Sequence, residues 1–527
     1  MPTSALNART AERAARVLVA ALLLAGGCAS LPTDIERTES HALRGTETTR
    51  LGRIGLAMLK AHPGESGFRP LPNGVDALLA RLVLAEAAER SLDVQYYIWH
   101  DDLTGRHFAH ALLRAADRGV RVRVILDDVG ARADDENLLS LDAHPNIEIR
   151  LFNPVASRNF RALGMLSDFS RTNRRMHNKS FIADNQRAIL GGRNIGDEYF
   201  EAQSDVAFGD LDVLTVGPGV SDVSDAFDRY WNAPASFPIQ ALLGRGGETA
   251  SLDALRAKLA AFVESQHDSP YAIRARSQLD EVLAAGSEGF FWGKAHLLYD
   301  DPAKISRAPE DTEGHLLPQF ADLRAPVQNE LLIISPYFVP GESGVAWLRG
   351  LVKRGVRVTV LTNSLAATDV GAVHAGYQRY RQALLAGGVK LYELKPDAIE
   401  HERAKRGKSG ISGSRASLHA KTFVFDRRAV FIGSLNLDPR SIQLNTEIGL
   451  VCASAPLAEE LAGRLEQNLD KIAWRLERKL DASGDARIVW VESGAEGVRR
   501  RTEEPEVSTW RRFSVWFLGL LPIEAQL

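Results

Sequence analysis

The chain has 527 residues, 45% of them hydrophobic and 25% charged, which is the composition of a globular protein with room for two domains and their cores. Its formal net charge of −3 gives no overall bias toward nucleic acid or a membrane, so any attraction to phosphate must be local. Two cysteines, Cys28 and Cys452, are too few for a disulfide framework or for a zinc site built on thiolates.

Residues 1–28 have the pattern of a secretory signal. Three arginines precede an apolar run at 17–24, which leads into small residues and Cys28. A basic start, a short apolar core and small residues are typical of signal peptides, and the run is too short to span a bilayer. The small residues before Cys28 resemble the lipobox of bacterial lipoproteins, which implies export and a lipid anchor on this cysteine. An ordinary cleaved signal with an incidental cysteine is the alternative.

Residues 29–75 are mixed and polar, and the first of two similar units is predicted at 76–235. Its apolar spacing predicts a helix that ends at Arg90, a buried strand at 92–99, a helix around Phe108, and a strand at 120–126. A connecting segment of helical character is predicted at 236–325.

The second unit, predicted at 326–475, repeats the order of the first. A strand is expected at 331–335, a helix around Trp347 and a strand at 356–361. The sequence GVRV begins at Gly119 in one unit and at Gly355 in the other. Strands that alternate with helices predict an α/β protein, here two similar α/β sandwich units from an internal duplication that form one shared active site.

The tail, residues 476–527, contains a predicted helix with an apolar face. Phe513, Trp516, Phe517, Leu520 and Leu521 have helical spacing and follow two arginines, as in helices that lie at a membrane interface. Val515 and Leu518 make the opposite side apolar too, so packing onto the protein's own core is an equal alternative.

One motif, HxKxxxxD, occurs once in each unit and is followed by a small-residue turn and an asparagine. The offset between the two histidines is 242 residues, and the offset between the two asparagines is the same. Two copies in register across a repeat predict one symmetric site. The residues are His177, Lys179, Asp184 and Asn194 in the first unit, and His419, Lys421, Asp426 and Asn436 in the second.

The spacing of this motif suits phosphate chemistry. Side chains alternate along a strand, so His177 and Lys179 would share one face, as would His419 and Lys421. Each lysine can then bind a phosphate oxygen while the imidazole addresses the phosphorus. The two aspartates complete the catalytic motif, although their position five residues beyond each lysine favours a role in fixing the turn.

The paired motifs resemble those of the phospholipase D superfamily, over roughly residues 76–475. Within it, four stretches look like the bacterial cardiolipin synthase C group: LDVQYYIWHDDLTGR, GGRNIGDEYF, GSLNLDPRS and the terminal LLPIE.

The resemblance implies a mechanism with two histidines. One forms a phosphohistidine and the other protonates the leaving alcohol. By analogy His177 is the nucleophile and His419 the general acid, with the reverse order left open by the near symmetry. The lysines, Asn194 and Asn436 would stabilise the phosphoryl oxygens. No metal or cofactor is expected, because the lysines supply the positive charge.

The resemblance also implies a carboxylate behind each histidine. Aligning the halves pairs Asp210 with Glu447, which follow their histidines by 33 and 28 residues. Such a carboxylate fixes the imidazole tautomer and raises its basicity. Asp212 competes with Asp210 for this role, and Asp197 and Glu198 are further candidates. Because one imidazole must be neutral while the other is protonated, turnover should have a bell-shaped pH dependence.

The expected function is transfer of a phosphatidyl group to make cardiolipin in the bacterial envelope. Phosphatidylglycerol or phosphatidylethanolamine would be the donor and phosphatidylglycerol the acceptor, with the membrane surface as partner and no nucleic acid. A hydrolytic phospholipase D, a phosphodiesterase nuclease and a non-catalytic envelope-binding protein are the alternatives. Basic residues before both motifs either form a solvated face or attract anionic groups: Arg171, Arg174, Arg175, Arg403, Lys405, Arg406, Lys408 and Arg415.

Overall fold

A computed structural model of the protein describes residues 30–131, 135–158, 160–202, 206–243, 251–269, 271–273, 276–277, 289–322, 327–398, 415–480, 483–494, 497–521 and 524–527. The predicted signal and the lipidation site at Cys28 lie outside these residues, as do the basic residues at 403–408. Across the described ranges, no helix has the length and apolar character needed to cross a membrane.

The strands are numbered here in chain order. They are β1 Ser66–Leu71, β2 Ser91–Tyr96, β3 Arg121–Asp127, β4 Ile147–Phe152, β5 Ser180–Ala183, β6 Arg187–Gly191, β7 Val206–Gly209, β8 Asp212–Val216, β9 Ser236–Pro238, β10 Phe291–Tyr299, β11 Glu330–Ile334, β12 Arg357–Asn363, β13 Lys390–Leu394, β14 Arg415–Leu418, β15 Lys421–Phe425, β16 Ala429–Gly433, β17 Ile448–Ala453, β18 Ala473–Leu480, β19 Ala486–Gly494 and β20 Gly497–Arg501.

Eighteen of these strands form one continuous sheet. Their pairings give the spatial order β9-β4-β3-β2-β5-β6-β8-β1-β10-β17-β16-β15-β11-β12-β13-β18-β19-β20. The order outward from β1 through β4 is repeated outward from β10 through β13, and the antiparallel pair β1–β10 joins the two series. This repeat confirms the predicted duplication of an α/β unit.

Helices cover this sheet and connect its strands. Those of the described residues span Arg50–Leu59, Gly74–Ala87, Leu103–Asp117, Asp135–Asp142, Arg161–Ser167, Phe169–Thr172, Pro218–Trp231, Ile239–Leu243, Leu252–Ser265, Leu316–Asp322, Gly341–Lys353, Gly371–Gln378, Arg381–Ala386, Pro439–Gln443, Ala455–Ile472 and Thr509–Gly519. Local sequence explains their ends: the Asn73 side chain caps Gly74–Ala87 by accepting from the N–H of Val75 at 2.9 Å. Gly119 and Gly355 have φ of 90° and 91°, which lets the chain turn from a helix into β3 and β12.

The central strands come from segments predicted to lie outside the two units. β1 belongs to 29–75 and β10 to 236–325, yet each pairs with the sheet of its own repeat, β1 with β8 and β10 with β17. The sheet of each unit therefore begins before the predicted boundaries at 76 and 326. Glycines and prolines near β1 hide this strand from a reading of apolar periodicity.

The cores of the two repeats interlock across the central pair. Phe68 and Val213 of the first repeat pack in one buried cluster with Leu450 and Cys452 of the second. In the reverse direction, Ile448 packs among buried residues of the first repeat. The residues that join the repeats are as buried as those within them, so the two repeats form one rigid frame for a site at their junction.

Candidate active site

Both histidine motifs lie where the two repeats meet. The backbone N–H of His177 donates to the carbonyl of Thr446 at 2.8 Å, and that of His419 donates to the carbonyl of Gly209 at 2.8 Å. The parallel pair β7–β14 strengthens the second contact. Each motif is thus held by backbone of the other repeat. His177 and Lys179 lie just before β5. His419 lies just before β15, and Lys421 is its first residue. Both strands therefore begin slightly later than the alternation predicted.

The carboxylates predicted to support the histidines are present, but they cross between repeats. Nδ1 of His177 lies 2.8 Å from Oε2 of Glu447, and Nδ1 of His419 lies 2.6 Å from Oδ2 of Asp210. Counting residues along one half had matched Asp210 with His177 and Glu447 with His419, and this matching is wrong. The spacing along the chain does not show that pairing of β7 with β14 brings Asp210 to His419, or that a bridge between Met176 and Thr446 brings Glu447 to His177.

The small residues after β6 and β16 accommodate these carboxylates. A Cβ added at Gly192 would lie 2.2 Å from Oδ1 of Asp210, so only glycine fits there. At the corresponding place in the second repeat, the hydroxyl of Ser434 donates to Oε2 of Glu447 at 2.5 Å. The second residue of the turns GGRN and GSLN therefore differs because one repeat makes space for a carboxylate at this place and the other binds one.

The two histidine–carboxylate pairs differ in charge. Burial raises the pKa of Glu447 to about 7, although Lys179 opposes this. Burial alone would raise the pKa of Asp210, but His419, Lys421 and Arg193 outweigh it and lower this pKa to about 2. Burial, with the charge of nearby lysines, lowers the pKa of both imidazoles, that of His177 further, and Asp210 opposes the effect on His419. The arrangement favours a neutral His177 and makes His419 the more readily protonated of the two imidazoles.

Both lysines are buried, and each ammonium group is bound to the backbone of the histidine in its own motif. Nζ of Lys179 donates to the carbonyl of His177 at 2.6 Å, and Nζ of Lys421 donates to that of His419 at 2.5 Å. Burial lowers the pKa of both ammonium groups, and that of Lys421 falls to about 8. Two cations held close together in a buried site favour an anionic ligand, which would stabilise their charge.

The two asparagines are buried beside the motifs with hydrogen-bonding capacity to spare. Oδ1 of Asn194 accepts from the N–H of Ile98 at 3.2 Å. Among the described residues, the amide nitrogen of Asn194 and the amide oxygen of Asn436 have no partner. A phosphoryl oxygen would satisfy the first, and rotation of the Asn436 amide would present its nitrogen in the same way.

Asp184 and Asp426 lie at hairpin turns and do not reach the imidazoles. The Asp184 carboxylate accepts from the N–H groups of residues 89–91, and Asp426 accepts from those of 328–330. Each is at the far end of β5 or β15 from its lysine, about 16 Å along an extended chain. We therefore assign both to the turn and not to the catalytic group in which the motif had placed them.

The competing carboxylates have other partners. Asp212 forms a buried ion pair with Arg81 at 2.8 Å, and Asp197 accepts from the N–H of Thr104 at 2.9 Å. Glu198 lies 3.5 Å from Nδ1 of His100. His100, Asp102 and Glu198 form a half-buried group whose possible ligand atoms lie within 4.8 Å of one another. Among the described residues, this composition could hold a metal ion.

Several residues that shape the site were not predicted to take part. The rings of Tyr97 and Tyr199 pack edge-on against His177 and His419, with centroids 5.1 and 5.2 Å apart. Asp127 accepts from the N–H of Met176 at 2.9 Å, and the amide oxygen of Asn363 accepts from the N–H of Leu418 at 2.8 Å. Each fixes the residue before a motif histidine. The GVRV repeat could have revealed this pair, because its offset also relates Asp127 to Asn363. They are the last residues of β3 and β12.

Comparison with known proteins agrees with this architecture. Residues 82–231 and 325–470 match the family described as "Cardiolipin synthase, PLD-like domain". The chain is 46% identical over 486 residues to Cardiolipin synthase C of Escherichia coli strain K12, covering 90% of this chain and 99% of that protein. An uncharacterized protein of Helicobacter pylori strain 26695 is 32% identical over 94% of this chain and 96% of its own length.

Among solved structures, phosphatidylserine synthase of Haemophilus influenzae Rd KW20 has the same fold. The TM-score is 0.53 at 14% identity, and the match covers 90% of this chain and 100% of that one. The paired motifs, the duplicated sheet and the sequence identity lead to one conclusion: this chain belongs to the PLD-like cardiolipin synthase family.

Proposed function

We propose that the protein transfers a phosphatidyl group from one phospholipid to phosphatidylglycerol and so makes cardiolipin. One observation carries the proposal: two buried histidines, each bound to a carboxylate of the opposite repeat, flank two buried lysines. Family membership and the name of the E. coli relative support phosphatidyl transfer. The donor is phosphatidylglycerol or phosphatidylethanolamine.

In the first step, Nε2 of His177 attacks the phosphorus of the donor. A P–N bond forms while the P–O bond to the donor's headgroup breaks, and His419 gives its proton to the departing oxygen. Glu447 holds Nδ1 of His177 at 2.8 Å, which leaves Nε2 as the attacking nitrogen. The lower pKa of His177 and the firmly ionised Asp210 beside His419 support this division of roles.

In the second step, the headgroup hydroxyl of phosphatidylglycerol takes the place of the departed alcohol. His419 removes its proton, the oxygen attacks the phosphorus, and the P–N bond to His177 breaks. Lys179, Lys421, Asn194 and Asn436 bind the phosphoryl oxygens in both steps, where charge grows in the transition state. Water in place of the second lipid would give hydrolysis and phosphatidic acid.

The proposed location is the bacterial cell envelope, with the protein anchored through a lipid on Cys28. The basic, apolar and small-residue pattern of 1–28 supports export and lipidation. A family of enzymes that acts on phospholipids agrees with a place at a membrane.

The test is lipid mass spectrometry on purified protein incubated with vesicles of phosphatidylglycerol and phosphatidylethanolamine. We expect cardiolipin from the intact protein and none from His177→Ala, and isotopic labelling of either headgroup identifies the donor. A matched control is Asp212→Asn, which alters a buried carboxylate near the site that binds no histidine. Phosphatidic acid without cardiolipin would contradict transfer and indicate a hydrolase.

A further inference from the structure

The helix Thr509–Gly519 has one buried side and one exposed aromatic side. Val515 is only 3% exposed and packs with Leu365, Ala375 and Val507 in a small core. Trp510 is 74% exposed and Trp516 58%, and Phe513, with its ring between theirs, is also exposed. The helix thus uses its aliphatic side to bind the protein, and its larger apolar side has no partner among the described residues.

The exposed side, which we call the aromatic face, continues beyond the helix. It consists of Trp510, Phe513, Trp516, Phe517, Leu520 and Leu521, all of them exposed. Single exposed apolar residues are ordinary, but a contiguous group of this size marks an interaction site.

The helix that carries the aromatic face is attached to a loop near the active site. Nη2 of Arg511 donates to the carbonyl of Thr368 at 2.6 Å, and the neighbouring Asp369 accepts from the hydroxyl of Tyr337 at 2.8 Å. The loop begins after Asn363, whose amide oxygen accepts from the N–H of Leu418, the residue before His419. In agreement, the charge of Asp369 raises the pKa of Lys421, although burial lowers it overall. The helix is therefore attached to the rim of the site.

A second contact joins the end of the chain to the first histidine motif. The carbonyl of Leu527 accepts from the N–H of Arg440 at 2.7 Å. The guanidinium of Arg440 donates to the carbonyl of Asn173 at 2.7 Å, just before His177. The segment that leads to Asn173 also exposes large apolar side chains: Phe160, Leu166 and Phe169.

We propose that the aromatic face docks on the surface of an anionic phospholipid bilayer and brings the active site to its substrate. Tryptophan and phenylalanine on a helix with basic residues are suited to the interface, where rings enter the acyl boundary and arginines meet phosphate. β20, which precedes the helix, exposes Arg499, Arg500 and Arg501, so the charge is complementary to anionic headgroups. The proposal rests on the proposed function, whose substrates are bilayer lipids.

The test is co-sedimentation with vesicles of phosphatidylglycerol and phosphatidylethanolamine. The full chain carries Cys28→Ser throughout, so that no lipid anchor contributes. We expect the double variant Trp510→Ser with Trp516→Ser to bind vesicles at least roughly tenfold more weakly than the intact chain, because two interfacial rings are lost. Trp347→Ser is the matched control, since Trp347 is 52% exposed on a different helix, and its binding should equal that of the intact chain.

Transfer from a short-chain, fully dispersed phosphatidylglycerol should be the same in all three proteins, because that substrate needs no docking. Equal vesicle binding by the double variant would overturn the proposal. The proposal would also be overturned if light scattering showed a dimer for the intact chain and a monomer for the double variant while vesicle binding was unchanged. The aromatic face would then be a contact between two copies of the chain. His177→Ala should bind vesicles normally, so an intact chain that binds vesicles but makes no cardiolipin contradicts the proposed function and not the docking.

Discussion

At the scale of single residues, the site depends on two hydrogen bonds that cross between repeats. His177 is bound to Glu447 and His419 to Asp210, so neither repeat contains a complete histidine–carboxylate pair. The chemistry is symmetric in outline and asymmetric in charge, since the pKa of Glu447 is about 7 and that of Asp210 about 2. This asymmetry allows one imidazole to attack while the other carries a proton.

Asp210→Asn should lower turnover and move its pH dependence. The carboxylate raises the pKa of His419, so its loss lets that pKa fall further, and the proton needed by the leaving group is lost at lower pH. We expect kcat to fall roughly 100-fold or more, with the alkaline limb of kcat/KM displaced toward acid. Measuring kcat/KM against pH for both proteins checks this.

Glu447→Gln serves as the comparison, because it acts on His177 and should leave the alkaline limb in place. If Asp210→Asn lowered kcat without moving either limb, Asp210 would have only a structural role.

At the scale of elements, the repeated hairpins β5–β6 and β15–β16 explain why the motif ends in aspartate. Asp184 and Asn185 have φ of 53° and 52°, and Asp426 and Arg427 have 50° and 54°, so both hairpins turn through two left-handed residues. The aspartates tolerate this conformation and also bind the backbone that enters β2 and β11. They attach the far ends of β5 and β15 to the neighbouring strands β2 and β11, and so help to position the backbone at the lysines.

Asp184→Ala should therefore destabilise the fold without removing the chemistry. It leaves the N–H groups of residues 89–91 without their acceptor, which we expect to lower the free energy of unfolding by about 1–3 kcal/mol. Asp426→Ala should cost less, since Asp426 is only half-buried. Urea unfolding measures both variants, and kcat of the folded protein should stay within a few-fold of the unchanged chain. Loss of activity at full stability would contradict the assignment.

At the scale of the whole molecule, the two repeats share one sheet and interlocking cores. Phe68, fully buried on β1, packs with residues of the second repeat such as Leu450. Phe68→Ala should reduce the free energy of unfolding by about 3–5 kcal/mol. The unfolding midpoints followed by tryptophan fluorescence and by activity should shift together. Two separate transitions would show instead that the repeats unfold independently.

The sequence predicted the duplication, both histidine motifs and the residue types around them, because repeats and strand alternation are local patterns. It did not predict the crossing of Asp210 and Glu447, because both contacts depend on distant backbone. β7 pairs with β14, which brings Asp210 to His419 across 209 positions, and Met176 bridges Thr446, which brings Glu447 to His177 across 270. Nor did it place β1 and β10, whose role as central strands depends on pairing with distant partners. For the C-terminal helix it left two environments open, and in the structure Val515 is buried while the aromatic side is exposed.

The central claim is that His177 forms a covalent bond to the phosphatidyl group while His419 moves the proton. Phosphatidyl-p-nitrophenol tests it directly, because nitrophenolate leaves without a proton. His419→Ala should release one nitrophenolate per enzyme molecule in a burst, and peptide mass spectrometry should find the phosphatidyl group on His177. His177→Ala should give no burst and no adduct. A burst from His177→Ala, with the adduct on His419, would contradict the account and reverse the two roles.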